Sequence, residues 1–296
     1  MTTATGAVYD RGYRPYEGQL RGRGAVVRAL WLASVRRAVG LRRPWRQKLL
    51  PWVLLAVVTV PAAVQVGVGY VTRDTPASGF TFITYRDYVG VSNALLLFVA
   101  ITAPDIMCPD RRQRVLPLIL SRPLTGVDYA VAKFAAIAAI VFAFGFVPQV
   151  VLFVGQMLVS DDGSMRYLRD NAEVLWQVPV AVAVLAVYYA AVGVAVASLT
   201  SRRVVAAVSF IGLLLVSSVA TGILGFSRPP EERTIVGALN LLALPLYIRD
   251  LIFLGELEPD TAIGTAPGAA VAVVVAYLVV LVASAAVLYL RYRSAE

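Results

Sequence analysis

Apolar residues fall in long runs along most of this chain, separated by shorter polar stretches in which arginine recurs. A helix needs about 20 predominantly apolar residues to cross a hydrocarbon core about 30 Å thick. Six runs meet that length: residues 49–70, 88–107, 127–159, 174–199, 204–224 and 268–290, within a few positions at each end. Pro61 interrupts the first run, which is entered through Pro51, and Pro148 is expected to bend the third. The pattern predicts an all-α integral membrane protein, with a six-span transmembrane domain over 49–290 and a short tail at 291–296.

Ahead of the first run lies a polar segment, 1–48, with eleven basic residues. Residues 1–23 are rich in Gly and Arg and predict irregular chain. Over 24–43, Val27, Leu30, Trp31, Val35 and Ala38 recur at three- and four-residue steps, with Arg28, Arg36 and Arg37 between them. That spacing predicts an amphipathic helix with a basic face, suited to the membrane interface or to the surface of a partner. The first apolar run starts near residue 49 and is too long for a signal peptide, so no cleaved leader is expected.

The stretch 234–255 is long enough to cross, but Asn240, Pro245, Arg249 and Asp250 interrupt it. Pro245 has no amide hydrogen for a helical bond, and the other three side chains each require a polar partner. Two short helices bent near Pro245 are expected, forming an outer re-entrant element that caps the pathway before the last span. Such an element is tolerated only against protein or a cavity. The basic residues support an even number of crossings. Segment 1–48 has eleven, the 108–126 loop four, the Ser201–Arg203 turn two and the tail two, against seven in all the opposing loops. The excess of Arg and Lys marks the cytoplasmic side, which places both termini there.

Composition narrows the function. The chain is 59% hydrophobic and only 15% charged, with a mean hydropathy of +0.74, which excludes a soluble fold of this size. Basic residues outnumber acidic ones by 27 to 18. They cluster at the ends of apolar runs and so read as membrane topology, with no nucleic-acid partner. The absence of histidine and the single cysteine, Cys108, exclude a His-based triad, a His- or Cys-cluster metal site and an internal disulfide. Neither Lys48 nor Lys133 follows a glycine, so there is no phosphate-binding P-loop. The carboxylate pairs Asp161/Asp162 and Glu231/Glu232 fall in outward loops as solvated charge. The chain is expected to be no enzyme and to carry no cofactor.

Polar residues within spans are costly in lipid and mark protein contacts or a pathway. Gln65, Asn93, Gln149 and Gln156 are candidates to line such a pathway, and Asp105 and Lys133 are candidates for an ion pair at the cytoplasmic ends of spans two and three. A secondary transporter or channel without an ATPase is the alternative class. It would need an intramembrane ion path, and no series of carboxylates supplies one.

The segment 103–134, APDIMCPDRRQRVLPLILSRPLTGVDYAVAKF, carries the sharpest local signal. Val115, Leu116, Ile119 and Leu120 form one apolar face of a short helix over 111–120, with Arg111, Arg112 and Arg114 around it. Pro117 is compatible with a short helix where it occupies a first turn, in which its amide hydrogen is not needed. Pro123 then stops the helix before span three. This segment resembles the signature region of ABC-2-type transporter permeases. An acidic-basic cluster (Asp110, Arg111) leads into a Leu-rich helix (Leu116, Leu118, Leu120), a Ser121-Arg122-Pro123 turn, and a span opening with Asp128, Tyr129 and Lys133. The opening DRGYRPYEG at 10–18 is similar to a tag found in actinobacterial members, and Ile252–Gly255 to the family's outer element. Where the family often has a Glu-x-Gly-Thr-like stretch, this chain has Arg112-Gln113-Arg114-Val115.

The resemblance implies the transmembrane half of an ABC exporter in the bacterial plasma membrane. ATP and Mg²⁺ would then sit on a separate ATP-binding subunit, and a second permease copy or a paralogue would complete a dimer. Residues 111–120 become the coupling helix, 24–43 the elbow helix and 234–255 the outer hairpin.

Overall fold

The computed structural model describes residues 22–40, 45–73, 75, 81–89, 92–113, 115, 117, 119, 124–160, 163–226, 229, 233–258, 263 and 268–293. Among these residues the regular structure is entirely helical. In chain order the helices are α1 (Arg23–Ala38), α2 (Trp45–Thr72), α3 (Tyr85–Val89), α4 (Ser92–Arg112), α5 (Gly126–Val159) and α6 (Ser164–Asp170). They continue with α7 (Val174–Leu199), α8 (Arg203–Phe226), α9 (Arg233–Ala238), α10 (Leu244–Leu254) and α11 (Ala269–Arg293).

Six stretches are long and apolar enough to cross a membrane: Pro51–Thr72, Tyr85–Arg112, Gly126–Val159, Val174–Leu199, Arg203–Phe226 and Ala269–Arg293. They coincide with the six expected runs, and the chain is a multi-pass membrane protein. Expected prolines lie inside the helices, Pro51 and Pro61 in α2 and Pro148 in α5, joined by Pro104 and Pro109 in α4 and Pro179 in α7. Neighbouring helices and side chains can take up the carbonyls that proline frees inside a bundle.

Burial separates centre from periphery. The apolar stretches of α4 and α7 are 73% and 72% buried, against 17% for α2, 22% for α8 and 17% for α11. Tyr188 and Tyr189 of α7 are fully enclosed, and Phe98 of α4 stacks on Phe144 of α5 with ring centroids 4.1 Å apart. The exposed sides of α2, α8 and α11 carry Val57, Val60, Val208, Val216, Val279 and Val282, the apolar surface a bilayer solvates. Exposed Trp52 and Tyr289 stand towards one end of the bundle, and Tyr70, Trp176 and Phe226 towards the other. Trp52 and Tyr70 are separated on α2 by about 27 Å of helix rise, close to the thickness of a hydrocarbon core, and aromatic residues favour both of its boundaries.

The amphipathic helix starts where the apolar period predicts but stops earlier, at Ala38, closed by the Val39 and Gly40 amides bonded back to Val35 and Arg37. Residues 41–44, like the expected irregular segment up to residue 21, lie outside the described residues. Arg36 and Arg37 in its last turn complement the negative end of the helix dipole. Span α5 begins with a capping box, in which the Thr125 hydroxyl accepts from the Asp128 amide and the Asp128 carboxylate accepts from the Thr125 amide. Gly126 follows because a Cβ there would run into the main-chain carbonyl of Tyr292, so α5 and α11 approach at backbone distance.

Candidate functional site

Helix ends gather at the basic end of the bundle. The C-terminal turns of α4, α7 and α11 meet the N-terminal turns of α5 and α8, and α1 packs on α5 and α4. Two ion pairs hold α1 there. Arg23 reaches the Asp128 carboxylate with Nε and Nη2, each at 2.8 Å, and Arg37 donates to Asp110 Oδ1 at 2.9 Å. Asp110 is the third residue from the end of α4 and Asp128 the third of α5. Both ends of α1 are therefore fixed at the level where α4 stops and α5 starts.

Asp110 is the hub of this end. Its second oxygen takes Lys133 Nζ at 2.6 Å and the Tyr129 hydroxyl at 3.0 Å, while Nζ also donates to the Ile106 carbonyl at 3.3 Å. The side chains of Asp110 and Lys133 are only 6% and 3% exposed. Two ionised groups so enclosed persist because each meets opposite charge and further hydrogen bonds. The sequence-based pairing of Asp105 with Lys133 is thus corrected: Lys133 takes Asp110, and Asp105 takes Arg203 at 2.6 Å. The reason is helical phase. Asp105 and Asp110 lie five residues apart, about 500° of turn, so they face different neighbours, α8 and α5.

The proposed coupling segment divides. Arg111 and Arg112 are the last turn of α4 and belong to no separate helix. Arg111 turns inward and donates to the main-chain carbonyl of Ser198, one of the orphan acceptors at the end of α7, while Arg112 is exposed. Ile119 packs against the core, and its amide bonds to the Val115 carbonyl at 3.1 Å. Arg114, Leu116, Leu118 and Leu120 lie outside the described residues. Between α1 and this segment runs a cleft of about 1140 Å³, bordered by Arg28, Arg36, Arg37, Asp110, Val115 and Ile119.

The opposite end holds the candidate pathway glutamines, and each of those described is used to fix the 82–88 segment. Gln65 Oε1 accepts from the Phe82 amide at 3.1 Å, Gln149 Nε2 donates to the Tyr85 carbonyl at 3.2 Å, and Gln156 Oε1 accepts from the Tyr85 and Tyr167 hydroxyls, each at 2.7 Å. The Asn93 side chain lies outside the described residues.

The 234–255 stretch forms two short helices, α9 and α10, as its polar residues predict. The break falls at 239–243, just ahead of Pro245, which sits in the first turn of α10 where no amide is needed. Asn240 Oδ1 accepts from the Leu242 and Ala243 amides at 3.2 and 3.1 Å. The Leu241 amide donates to Ser217 Oγ of α8 at 3.2 Å, and Tyr188 and Tyr189 of α7 donate to the Leu241 and Leu242 carbonyls at 2.9 and 3.0 Å. Tyr188 and Ser217 each lie near the middle of their helices. The turn therefore sits about halfway along the bundle, with its backbone satisfied by side chains.

Sequence reasoning missed Tyr188, Tyr189 and Ser217. The available signal was two adjacent tyrosines inside an apolar span, since a buried tyrosine hydroxyl demands a partner.

Further along α10, Arg249 clasps its neighbour Asp250 at 2.6 Å, both buried. Gly255, with φ 74°, closes the helix in the left-handed region.

Comparison with known proteins returns no matching family model and no matching curated relative.

Proposed function

We propose that this chain is the membrane-spanning permease subunit of an ATP-driven exporter of the ABC-2 type, acting as a dimer with a second copy or paralogue. The observation that carries the reading is the 103–134 segment, whose order of charge, leucines, Ser-Arg-Pro turn and Asp-Tyr-Lys span opening resembles that family. Within it Tyr129 and Lys133 both reach Asp110, which also receives Arg37 of α1, while Asp128 takes Arg23. Force applied to the segment after α4 would pass through Asp110 into α1, α4 and α5 together, a suitable route for coupling to a separate ATP-binding subunit.

The basic end is then cytoplasmic by the excess of arginine, α1 is the elbow helix, and α9–α10 enters from outside. The depth of the 239–243 turn supports a re-entrant hairpin, because irregular backbone survives at that level only when protein satisfies it. ATP and Mg²⁺ belong to the partner subunit, and the membrane is the bacterial plasma membrane.

The test is Leu116→Asp in the full chain, purified with its ATP-binding subunit. A charge buried in the subunit contact should abolish complex formation or coupled ATP turnover, with normal membrane insertion. Intact assembly and transport in that variant would remove the reading.

A further inference from the structure

Among the described residues, the cleft between α1 and Val115 and Ile119 has more positive charge than its own contacts consume. Of the four arginines on α1, Arg23 and Arg37 are engaged by Asp128 and Asp110. Arg28 and Arg36 border the cleft, are exposed, and have no ion-pair partner among the described residues. They stand about 12 Å apart along the helix. The cleft's carboxylate, Asp110, is already matched by Arg37 and Lys133. Leu30, Leu32 and Ile119 supply an apolar lining beside these guanidiniums. Because both ends of α1 are tied where α4 ends and α5 begins, this combination lies at the depth of lipid headgroups around the spans. Guanidinium groups bind phosphate oxygens well, and basic pockets at this level select anionic lipids.

We propose that the cleft holds an anionic phospholipid, with its phosphate on Arg28 and Arg36 and the first part of its chains along Leu30, Leu32 and Ile119. The proposal rests on the chain's place in a bilayer and is independent of any ATPase partner. A lipid so placed bridges α1 and Ile119, and so fixes the distance between them.

The experiment uses the full chain in nanodiscs of phosphatidylcholine and phosphatidylglycerol, with bound lipid read by native mass spectrometry and folding by thermal melts. The wild type should retain phosphatidylglycerol. Arg28→Gln with Arg36→Gln should weaken retention about tenfold or more, whereas Arg291→Gln with Arg293→Gln, an equal loss of charge at the same end, should not. Should the glutamine variant fail to fold, Arg28→Ala and Arg36→Ala singly, each expected to weaken retention, replace it. Equal loss in the two double variants means diffuse attraction and overturns the proposal. Undiminished retention without Arg28 and Arg36 overturns it as well. Displacement of the lipid by an equal concentration of soluble glycerol phosphate, or occupation of the cleft by an acidic segment of a partner protein, also overturns it.

Discussion

The hydroxyl of Tyr188, near the middle of α7, donates to the main-chain carbonyl of Leu241 at 2.9 Å, and Tyr189 does the same for Leu242 at 3.0 Å. Two consecutive side chains thus satisfy two consecutive carbonyls of the turn between α9 and α10. Without them, acceptors that belong to no helix would be stranded among apolar side chains.

Tyr188→Phe and Tyr189→Phe should therefore each lower stability by about 1–3 kcal/mol, the cost of leaving one buried acceptor unpaired. Thermal melts of the purified chain followed by circular dichroism provide the measurement. Melting temperatures unchanged in both variants would mean that the turn is satisfied in another way.

Asp110 and Lys133 should be energetically coupled, and Asp105 and Lys133 should not. Asp110→Asn alone leaves Lys133 buried without its counter-charge and should cost about 3–5 kcal/mol. Adding Lys133→Met should recover part of that loss. The cycle built on Asp105→Asn and Lys133→Met should instead be additive within about 0.5 kcal/mol. The reverse pattern would restore the pairing first expected from the sequence.

A topology test follows from the depth of the hairpin. In a Cys108→Ser background, Arg233→Cys and Glu256→Cys should both react with an impermeant thiol reagent added outside intact cells. Ser201→Cys should react only after permeabilisation. Opposite accessibility of positions 233 and 256 would make the stretch a seventh crossing.

Gly126→Ala should separate the α5 and α11 ends, because the new methyl group meets the Tyr292 carbonyl, which is backbone and has no rotamer to yield. Overpacking of this kind costs about 1–3 kcal/mol. A melt matching wild type would show that the two helices slide apart freely.

The sequence by itself determined the solvent and the elements. Runs such as 174–199 and 268–290 are uncharged and long enough to cross a bilayer as helices, which satisfy their own amides where lipid offers no partner. Asn240, Pro245, Arg249 and Asp250 likewise forecast two short helices, because each conflicts locally with an uninterrupted span. Partner choice was a different matter. Lys133 had Asp105 and Asp110 within reach along the chain, and only the rotation of α4 against α5 and α8 decided between them. Gln65, Gln149 and Gln156 were legible as polar residues needing partners, but that Phe82 and Tyr85 supply hydrogen-bond partners depended on where the 82–88 segment returned. Tyr188 and Leu241 are separated by fifty-three residues, and helical periodicity carries no information across such a gap. Periodicity reports which face of a helix is apolar; which neighbour that face meets is set by the packing of the whole bundle.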